Sequence, residues 1–236
     1  MKKIFLLLAA VSSFALTPLA FANESEVALD KAPVDASNHE SLQRGARTFV
    51  NYCLNCHSAN YMRYNRLLEI GLTEKQIKDN LVFAGEKVGD QMKVAMSKAD
   101  AKKWFGAAPP DLSVEVRARG ADWVYSYMRG FYRDNTRPTG WNNTVYDKVA
   151  MPHILYELQG EQTLNHETHK LELTKPGKLS VTEYDALVGD LTNYLAYMAE
   201  PAKQQRNHLG WLVLLFLGVL LVLTYKLKKA YWKDIH

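Results

Sequence analysis

Both cysteines of this 236-residue chain lie in one short segment, Cys53-Leu54-Asn55-Cys56-His57. Two thiols three positions apart, with a histidine directly after the second, have the spacing at which haem is attached through its two vinyl groups. The histidine then lies under the iron as its proximal ligand. We therefore expect one covalently bound haem c, held by Cys53 and Cys56 and ligated by His57.

Two other kinds of site use a Cys-x-x-Cys pair. A thiol redox pair is disfavoured because the intervening residues are Leu54 and Asn55 and no recognisable thioredoxin-like strand precedes them. A structural zinc ion needs four protein ligands, and the chain has no further cysteine to supply them. Haem attachment remains the interpretation that uses both cysteines of the chain and the histidine that follows them.

The N-terminus has the three parts of a secretory signal peptide. Lys2 and Lys3 are followed by an apolar run over residues 4–10, and the segment ends Ala20-Phe21-Ala22. An N-terminal membrane anchor is the alternative, but the apolar run is too short for one. We predict that residues 1–22 are removed and that the mature chain begins near Asn23.

The C-terminus has the composition of a single transmembrane helix. Residues 209–225 (LGWLVLLFLGVLLVLTY) are almost wholly apolar and are about as long as the shortest helix that spans a bilayer. Four lysines follow between residues 226 and 233, and such a cluster stays on the cytoplasmic side. A buried core helix is the disfavoured alternative. We predict a single-pass protein of the bacterial cytoplasmic membrane, with residues 23–208 in the periplasm and residues 226–236 as a cytoplasmic tail.

The positive charge of the chain belongs to its two ends. The leader contains two lysines, and the C-terminal segment contains four lysines and one aspartate, so their removal changes the formal net charge from +4 to about −1. A near-neutral exported domain has no concentrated positive charge for nucleic acid. We therefore expect no nucleic-acid partner.

Two segments have the apolar periodicity of packed helices. Residues 39–52 lead directly into the cysteine segment, and Gly45 on their apolar face would let another helix approach closely. Residues 180–198 begin with a capping box formed by Ser180 and Glu183. We also expect an extended arm over residues 23–38 and a solvated loop or short hairpin over residues 160–176. The predicted fold is mainly α: a class I c-type cytochrome-like exported haem domain with one C-terminal transmembrane helix.

The sixth ligand of the iron decides between electron transfer and catalysis, because an open position would admit a substrate. Met151 is favoured because Pro152 excludes a regular helix there and presents the side chain from a loop. His153 is a rival ligand, although a surface or hydrogen-bonded histidine is its ordinary interpretation. The remaining methionines are expected elsewhere: Met62 too near His57 to reach the opposite haem face, Met128 and Met198 in packed helices, and Met92 and Met96 in an exposed lysine-rich helix.

Several motifs in one order resemble the cytochrome c1 family, the haem subunits of cytochrome bc1 complexes. They are residues 53–67 (CLNCHSANYMRYNRL), residues 109–119 (PPDLSVEVRAR), the Met151-Pro152 loop, and Ala199-Glu200-Pro201 shortly before a single anchor. The resemblance runs from about residue 39 to the C-terminus. It implies that Met151 is the distal ligand of the haem.

The resemblance also implies roles for residues 109–119. A carbonyl oxygen of Pro109 or Pro110 would accept the Nδ1 proton of His57 and fix its ring. Arg119 would pair with a haem propionate, whereas Arg117 is expected to be a solvated surface charge.

The chain departs from the family in two places. Family members often have Met-Ala-Pro-Pro where this chain has Met151-Pro152-His153, so the path of this loop is left open. Some bacterial members brace the preceding segment with a disulfide, for which this chain has no cysteine to spare. Packing must hold the loop instead.

The function implied by the resemblance is that of the electron-transfer haem subunit of ubiquinol:cytochrome c reductase. It would take one electron from the Rieske iron-sulfur protein and pass it to a soluble cytochrome c or an equivalent acceptor. On its own the chain would be a relay, because quinol oxidation would occur on cytochrome b. The implied assembly is a dimeric membrane complex with cytochrome b and the Rieske protein. The alternative is a membrane-anchored c-type cytochrome that serves another periplasmic oxidoreductase or a terminal oxidase.

Overall fold

A computed structural model describes residues 28–233 of the chain. The predicted signal peptide, residues 1–22, lies outside the described residues, and so do residues 234–236 of the predicted tail. Helices dominate the described part, which agrees with the mainly α prediction. In chain order the α-helices are α1 (His39–Thr48), α2 (Glu74–Asn80), α3 (Lys98–Phe105), α4 (Glu115–Arg119), α5 (Ala121–Arg129), α6 (Tyr156–Gln159), α7 (Val181–Ala199) and α8 (Lys203–Tyr231), and Tyr64–Ile70 form a 3-10 helix.

The strands of the described residues form three separate antiparallel pairs. In each pair the two strands are neighbours in chain order. The pairs are β1 (Ala59–Arg63) with β2 (Gln91–Met92), β3 (Phe131–Arg133) with β4 (Trp141–Asn143), and β5 (Gly160–Asn165) with β6 (Lys170–Pro176). Pairs of this size need packing against helices to be stable, so they elaborate a helical domain and do not form a sheet core.

The crossing of α1 and α7 forms the centre of the domain. A Cβ atom added to Gly45 would lie 2.1 Å from the backbone oxygen of Asp190 and 2.6 Å from Cβ of Tyr194. The predicted close approach at Gly45 is therefore confirmed. The guanidinium of Arg44 also pairs with the Asp190 carboxylate at 2.6 Å and 3.0 Å, and the rings of Phe49 and Tyr194 lie 5.7 Å apart.

Helix α7 begins as its sequence predicts. Ser180 is the N-cap, its side chain accepts from the backbone of Glu183, and the Glu183 carboxylate accepts from the Ser180 backbone N–H at 2.9 Å. These reciprocal bonds satisfy two of the backbone donors that a helix start leaves free. The capping box is confirmed, and the helix ends at Ala199, one residue beyond the predicted end.

The helix predicted over residues 39–52 changes its winding before the cysteine segment. Regular α1 ends at Thr48, and Phe49–Cys53 form a π-helical turn in which the N–H of Leu54 donates to the carbonyl oxygen of Phe49 at 3.0 Å. Such turns insert one residue into a helix and re-aim the side chains that follow. Apolar periodicity alone does not distinguish this turn from a continued α-helix.

The described part of the predicted arm, residues 28–38, and the predicted hairpin are both present, whereas residues 23–27 of the arm lie outside the described residues. Residues 28–38 contain no helix or strand and are tied to the helices by backbone donors, from Asp30 to Ser126 Oγ and from Ala32 to Asp122 Oδ1, each at 2.8 Å. Strands β5 and β6 form the hairpin expected over residues 160–176. Gln162 anchors it, because its side-chain amide donates to the carbonyl oxygen of Phe131 at 2.9 Å.

The assignment of Met92 and Met96 to an exposed lysine-rich helix was wrong. Met92 lies in β2 with no exposed surface, and Tyr194 donates its hydroxyl to the Met92 sulfur at 3.5 Å. Met96 lies in a bend before α3. The lysines near Met92 in sequence suggested an exposed helix. Met92 is nevertheless buried, because it is the inward-facing residue of a two-residue strand.

Helix α8 contains the apolar segment expected to cross the membrane. It runs over Lys203–Tyr231, so it begins before and ends after the predicted span of residues 209–225. None of its residues is buried against the rest of the described chain. Within residues 28–233 it is the one helix that is long and apolar enough to span a bilayer.

Replacing Gly45 with alanine should destabilise the domain by about 1–3 kcal/mol, because the new methyl group meets backbone atoms that cannot turn aside. Helix propensity alone predicts the opposite sign, since alanine stabilises a helix interior relative to glycine. Thermal unfolding followed by circular dichroism measures the difference.

Gly89→Ala is the matched control, because no atom lies within 4 Å of a Cβ added there. Its effect should stay within about 0.5 kcal/mol. An unfolding temperature for Gly45→Ala equal to or above that of the wild type would contradict the close crossing.

Candidate functional site

The cysteine segment forms a tight turn at the end of the π-helical turn. The N–H groups of Cys56 and His57 both donate to the carbonyl oxygen of Cys53, at 3.1 Å and 2.9 Å. Cys53 is buried and Cys56 is partly exposed, and they form no disulfide with each other. Burial raises the pKa of the Cys53 thiol to about 12. Because thiol–disulfide chemistry needs a thiolate, this environment does not suit a redox dithiol.

The imidazole of His57 is held by the backbone of the Pro-Pro segment. Its Nδ1 atom lies 2.8 Å from the carbonyl oxygen of Pro110. A carbonyl oxygen only accepts, so Nδ1 carries the proton and Nε2 keeps a free lone pair. Burial lowers the pKa of His57, although the Pro110 hydrogen bond opposes the shift. The ring is thus neutral and oriented, as a metal ligand must be.

Asp111 fastens the segment after Pro110 to the chain after His57. One of its carboxylate oxygens accepts from the backbone N–H and the side-chain amide of Asn60, at 2.9 Å and 2.6 Å, and the other accepts from the backbone N–H of Ser113 at 2.9 Å. In addition, the N–H of Leu112 donates to the carbonyl oxygen of Ser58 at 2.9 Å. Sequence reasoning did not single out Asp111. The sequence pattern that could have identified Asp111 is its Asp-x-Ser spacing with Ser113, which favours an Asx turn.

Met151 lies against a small hydrophobic cluster that is separate from the main core. The cluster consists of Phe131, Trp141 and Val149, all buried, with Met151 and Tyr127 packed against it. The Tyr127 hydroxyl lies 3.5 Å from the Met151 sulfur. This packing braces the segment before Met151 in a chain that has no cysteine to spare for a disulfide there.

The expected surface position of His153 was wrong. Its side chain is 1% exposed, stacks on Phe131 at 4.8 Å with an interplanar angle of 6°, and meets Trp141 edge-on at 5.1 Å. Neither ring nitrogen has a hydrogen-bond partner among residues 28–233. Burial lowers the pKa of His153 to about 4, against a smaller opposing effect of Gln159. The neutral ring packs as an aromatic side chain.

Arg119 ends α4 on the surface of the domain. Its Nε atom lies 2.6 Å from the Glu115 carboxylate, and its guanidinium lies 4.5 Å from the ring centroid of Trp123 and 5.7 Å from that of Tyr146. The side chain is 44% exposed. Because the Arg119 guanidinium is held by stacking and by one carboxylate, some of its N–H donors remain free for a second acceptor. This is compatible with the predicted contact to a haem propionate. Arg117 is exposed, as expected.

Tyr127 packs against both hydrophobic clusters of the domain. It packs against the main core, which includes Cys53, and also against the cluster that contains Met151. The donor set therefore fits a c-type haem: two thiols and an oriented imidazole in one turn, and a partly buried thioether on a separate loop. The described residues contain no group of three or more His, Cys, Asp or Glu side chains that would hold a metal ion by themselves.

Comparisons with known proteins identify the family. The model of the Cytochrome C1 family matches residues 30–235. The chain belongs to the cytochrome c1 family. It is 48% identical to the cytochrome c1 of Allochromatium vinosum over 219 aligned residues. The alignment covers 88% of this chain and 90% of that protein. The chain is 29% identical over 266 residues to the cytochrome c1 of Rhodospirillum rubrum, which covers 97% and 96%.

A relative from Nitrosomonas europaea has a different kind of name. It is called ammonia monooxygenase gamma subunit, and it is 54% identical to this chain over 233 residues, 98% of each protein. A chain of a hyperthermophilic respiratory complex III matches with a TM-score of 0.46 and 15% identity, covering 100% of this chain and 98% of its own. The family assignment rests on the family model and on the cytochrome c1 relatives.

Membership in the cytochrome c1 family decides the cofactor and the kind of protein. Members carry one covalently bound haem c, so the expected cofactor is confirmed. The chain is an electron-transport protein, and α8 is its candidate membrane anchor.

Asp111→Asn should lower the stability of the domain by about 1–3 kcal/mol, because one carboxylate acceptor becomes an amide donor and a buried backbone N–H loses its partner. The effect should depend on pH. Burial raises the pKa of Asp111, but hydrogen bonds from Ser113 and Asn60 outweigh it and hold that pKa below its ordinary value. Such a group stabilises the fold above its unfolded pKa of about 4, and the stabilisation is lost as pH falls through the folded pKa.

Thermal unfolding of wild type and variant between pH 7 and pH 3 measures this dependence. The difference in stability between the wild type and Asp111→Asn should be constant above about pH 5 and shrink below about pH 4. Asp79→Asn is the control, because Asp79 forms an exposed pair with Lys75 that contributes little. A difference for Asp111→Asn that persists unchanged at pH 3 would contradict the role of the charged carboxylate.

Proposed function

We propose that this chain is the electron-transfer haem subunit of a ubiquinol:cytochrome c reductase, taking one electron from a Rieske iron-sulfur protein and passing it to a soluble cytochrome c or an equivalent acceptor. The observation that carries the proposal is the orientation of a neutral His57 by the Pro110 carbonyl oxygen, in a member of the cytochrome c1 family that also has a loop-borne thioether. The haem supplies reversible one-electron exchange between its ferric and ferrous states.

The proximal half of the site would work through fixed geometry. Cys53 and Cys56 would hold the haem covalently, and the Pro110 carbonyl oxygen would keep the lone pair of His57 Nε2 directed at the iron. Because Asp111 fastens the segment that carries Pro110, this orientation would persist through each redox cycle.

The distal half of the site would prevent catalysis. Met151 would be the sixth ligand, so the protein would leave no iron position for oxygen or another substrate. A thioether ligand also raises the reduction potential relative to a second histidine. His153 supports this choice, because its ring lies buried between Phe131 and Trp141. On the surface nearby, Arg119 would pair with a haem propionate.

We propose the same division of the chain that its sequence suggests. Residues 1–22 would be a signal peptide, residues 23–208 a periplasmic haem domain, residues 209–225 the membrane span and residues 226–236 a cytoplasmic tail. The lysines after the apolar segment support this orientation, because positive charge stays on the cytoplasmic side. In the bacterial cytoplasmic membrane the chain would assemble with cytochrome b and the Rieske protein as a dimeric complex.

Met151→Ala should abolish the near-infrared charge-transfer band of methionine bound to ferric haem. The wild type should have this band and a low-spin spectrum, because Met151 would occupy the sixth position. Visible and near-infrared spectra of the full-length protein, purified from membranes in both oxidation states, measure it.

Met96→Ala is the control, since Met96 lies in a bend before α3, outside the cluster that packs around Met151. That variant should keep the band unchanged. A wild type without the band, or a Met151→Ala variant that retains it, would remove Met151 as the ligand.

A second candidate function is favoured by the name of the Nitrosomonas europaea relative. In this candidate the chain is a membrane-anchored c-type cytochrome that serves another oxidoreductase, of which an ammonia monooxygenase would be one. The haem site and α8 would serve either function equally well. The two functions differ in which proteins the chain binds.

Purification through an affinity tag on the full-length chain, from membranes dissolved in mild detergent, should recover cytochrome b and the Rieske iron-sulfur protein with it. The purified complex should reduce cytochrome c with a quinol as electron donor. A chain truncated after residue 202, which lacks α8, is the control and should lose the membrane partners. Recovery of monooxygenase subunits in place of cytochrome b would favour the second function.

A further inference from the structure

We propose that Tyr127 is a positioning residue for Met151, whose hydroxyl donates a hydrogen bond to the thioether sulfur and thereby raises the reduction potential of the haem. This inference rests on the proposed function, in which Met151 is the distal ligand. The Tyr127 hydroxyl oxygen lies 3.5 Å from the Met151 sulfur. A thioether is a weak acceptor with two lone pairs, so it can bind iron with one and accept this hydrogen bond with the other.

The Tyr127 ring is held in place by contacts that do not involve its hydroxyl. It stacks on Trp123 with centroids 4.9 Å apart and an interplanar angle of 10°, and it meets Phe131 edge-on at 5.1 Å. The guanidinium of Arg119 lies 4.5 Å from the centroid of the Trp123 ring. The direction of the hydroxyl is therefore determined by packing.

The helical spacing of the chain produces this stack. Trp123 and Tyr127 are four residues apart in α5, so they lie one above the other on one face. Arg119 lies four residues before Trp123 at the end of α4. The three side chains thus lead from the exposed surface to the Met151 sulfur.

The hydroxyl retains the proton that it would donate. The pKa of a tyrosine hydroxyl is about 10, so the group is protonated at neutral pH. The residue is therefore neutral throughout the physiological pH range, with its O–H available to the sulfur.

A hydrogen bond at the ligand sulfur changes the balance between oxidation states. It draws electron density from the lone pairs of the thioether, which weakens donation to the ferric state more than to the less positive ferrous state. Hydrogen bonds to ligands are an established means by which proteins tune metal sites. Removing this bond should therefore favour the ferric form and lower the reduction potential.

Tyr127→Phe in the full-length, haem-loaded protein tests the proposal. The variant keeps the ring and its stacking and loses only the hydroxyl. We expect the methionine charge-transfer band to remain with a shifted energy. The equilibrium ratio of ferrous to ferric protein at a fixed applied potential should fall about 2- to 10-fold, in proportion to the strength of one hydrogen bond. A tenfold change corresponds to about 59 mV for a one-electron couple.

Tyr194→Phe is the matched control. Tyr194 donates to the sulfur of Met92 at the same distance of 3.5 Å, but this pair is buried in the main core. Its loss removes an identical hydroxyl–thioether contact from a methionine that is not proposed as a ligand. The band and the potential should therefore stay at their wild-type values.

The outcomes separate this inference from the proposed function. If Met151→Ala loses the band while Tyr127→Phe leaves both band energy and potential unchanged, the tuning role is overturned and Met151 stands as the ligand. Complete loss of the band in Tyr127→Phe would also overturn tuning, because the hydroxyl would then be needed to keep the ligand bound. If the wild type lacks the band, the ligand assignment itself fails.

A measurement on the wild type does not depend on how the variant folds. In the reduced low-spin protein, which is diamagnetic, nuclear magnetic resonance should show a slowly exchanging hydroxyl proton of Tyr127. A nuclear Overhauser contact between that proton and the methyl group of Met151 is expected. Assigned spectra in which the hydroxyl of Tyr127 exchanges freely and lacks this contact would overturn the hydrogen bond.

Discussion

The close crossing of α1 and α7 is the contact on which the rest of the domain depends. At Gly45 the two helices approach so closely that there is no space for a single methyl group. Because α1 continues through the π-helical turn into the cysteine segment, this crossing sets the position and direction of the chain at Cys53. The arm before α1 is tied to α7 as well, through the N–H of Asp35 and the Asn193 side chain at 2.9 Å. Close packing of this kind transmits position accurately because protein interiors have little free volume.

The two halves of the candidate site are stabilised by different physical means. On the proximal side, backbone and carboxylate hydrogen bonds join residues 57–61 to residues 110–113, and they determine the tautomer and angle of His57. On the distal side, aromatic rings surround a thioether that forms only weak hydrogen bonds. Directional bonds suit a nitrogen ligand that needs one orientation. Apolar packing suits a sulfur ligand, which is soft and tolerates a range of angles.

The sequence predicted the features that depend on short spacings. The capping box at Ser180 and the close approach at Gly45 each need only a few neighbouring residues, and both are confirmed. The course of the chain between these features was harder to predict. Met92 lies in a two-residue strand that is too short for any periodicity, so its lysine neighbours dominated the prediction.

The buried state of His153 depends on contacts that are distant in sequence. Its ring stacks on Phe131 and meets Trp141 edge-on, and these residues come from β3 and β4. The residues next to Pro152 in sequence contain no pattern that would predict these contacts of His153 with Phe131 and Trp141. The partnership of Asp111 with Asn60 is equally distant, although its turn with Ser113 is local. Tertiary contacts of this kind are where single-sequence reasoning loses information.

The two tyrosine–methionine pairs indicate what distinguishes the proposed ligand from a core methionine. Tyr194 with Met92 and Tyr127 with Met151 have the same oxygen–sulfur distance of 3.5 Å. Met92 lies wholly buried in a strand and belongs to the main core. Met151 is only partly buried and lies in a loop beside a proline. Both pairs share the hydroxyl contact, so what sets Met151, the proposed ligand, apart from Met92 is its loop position and its partial exposure.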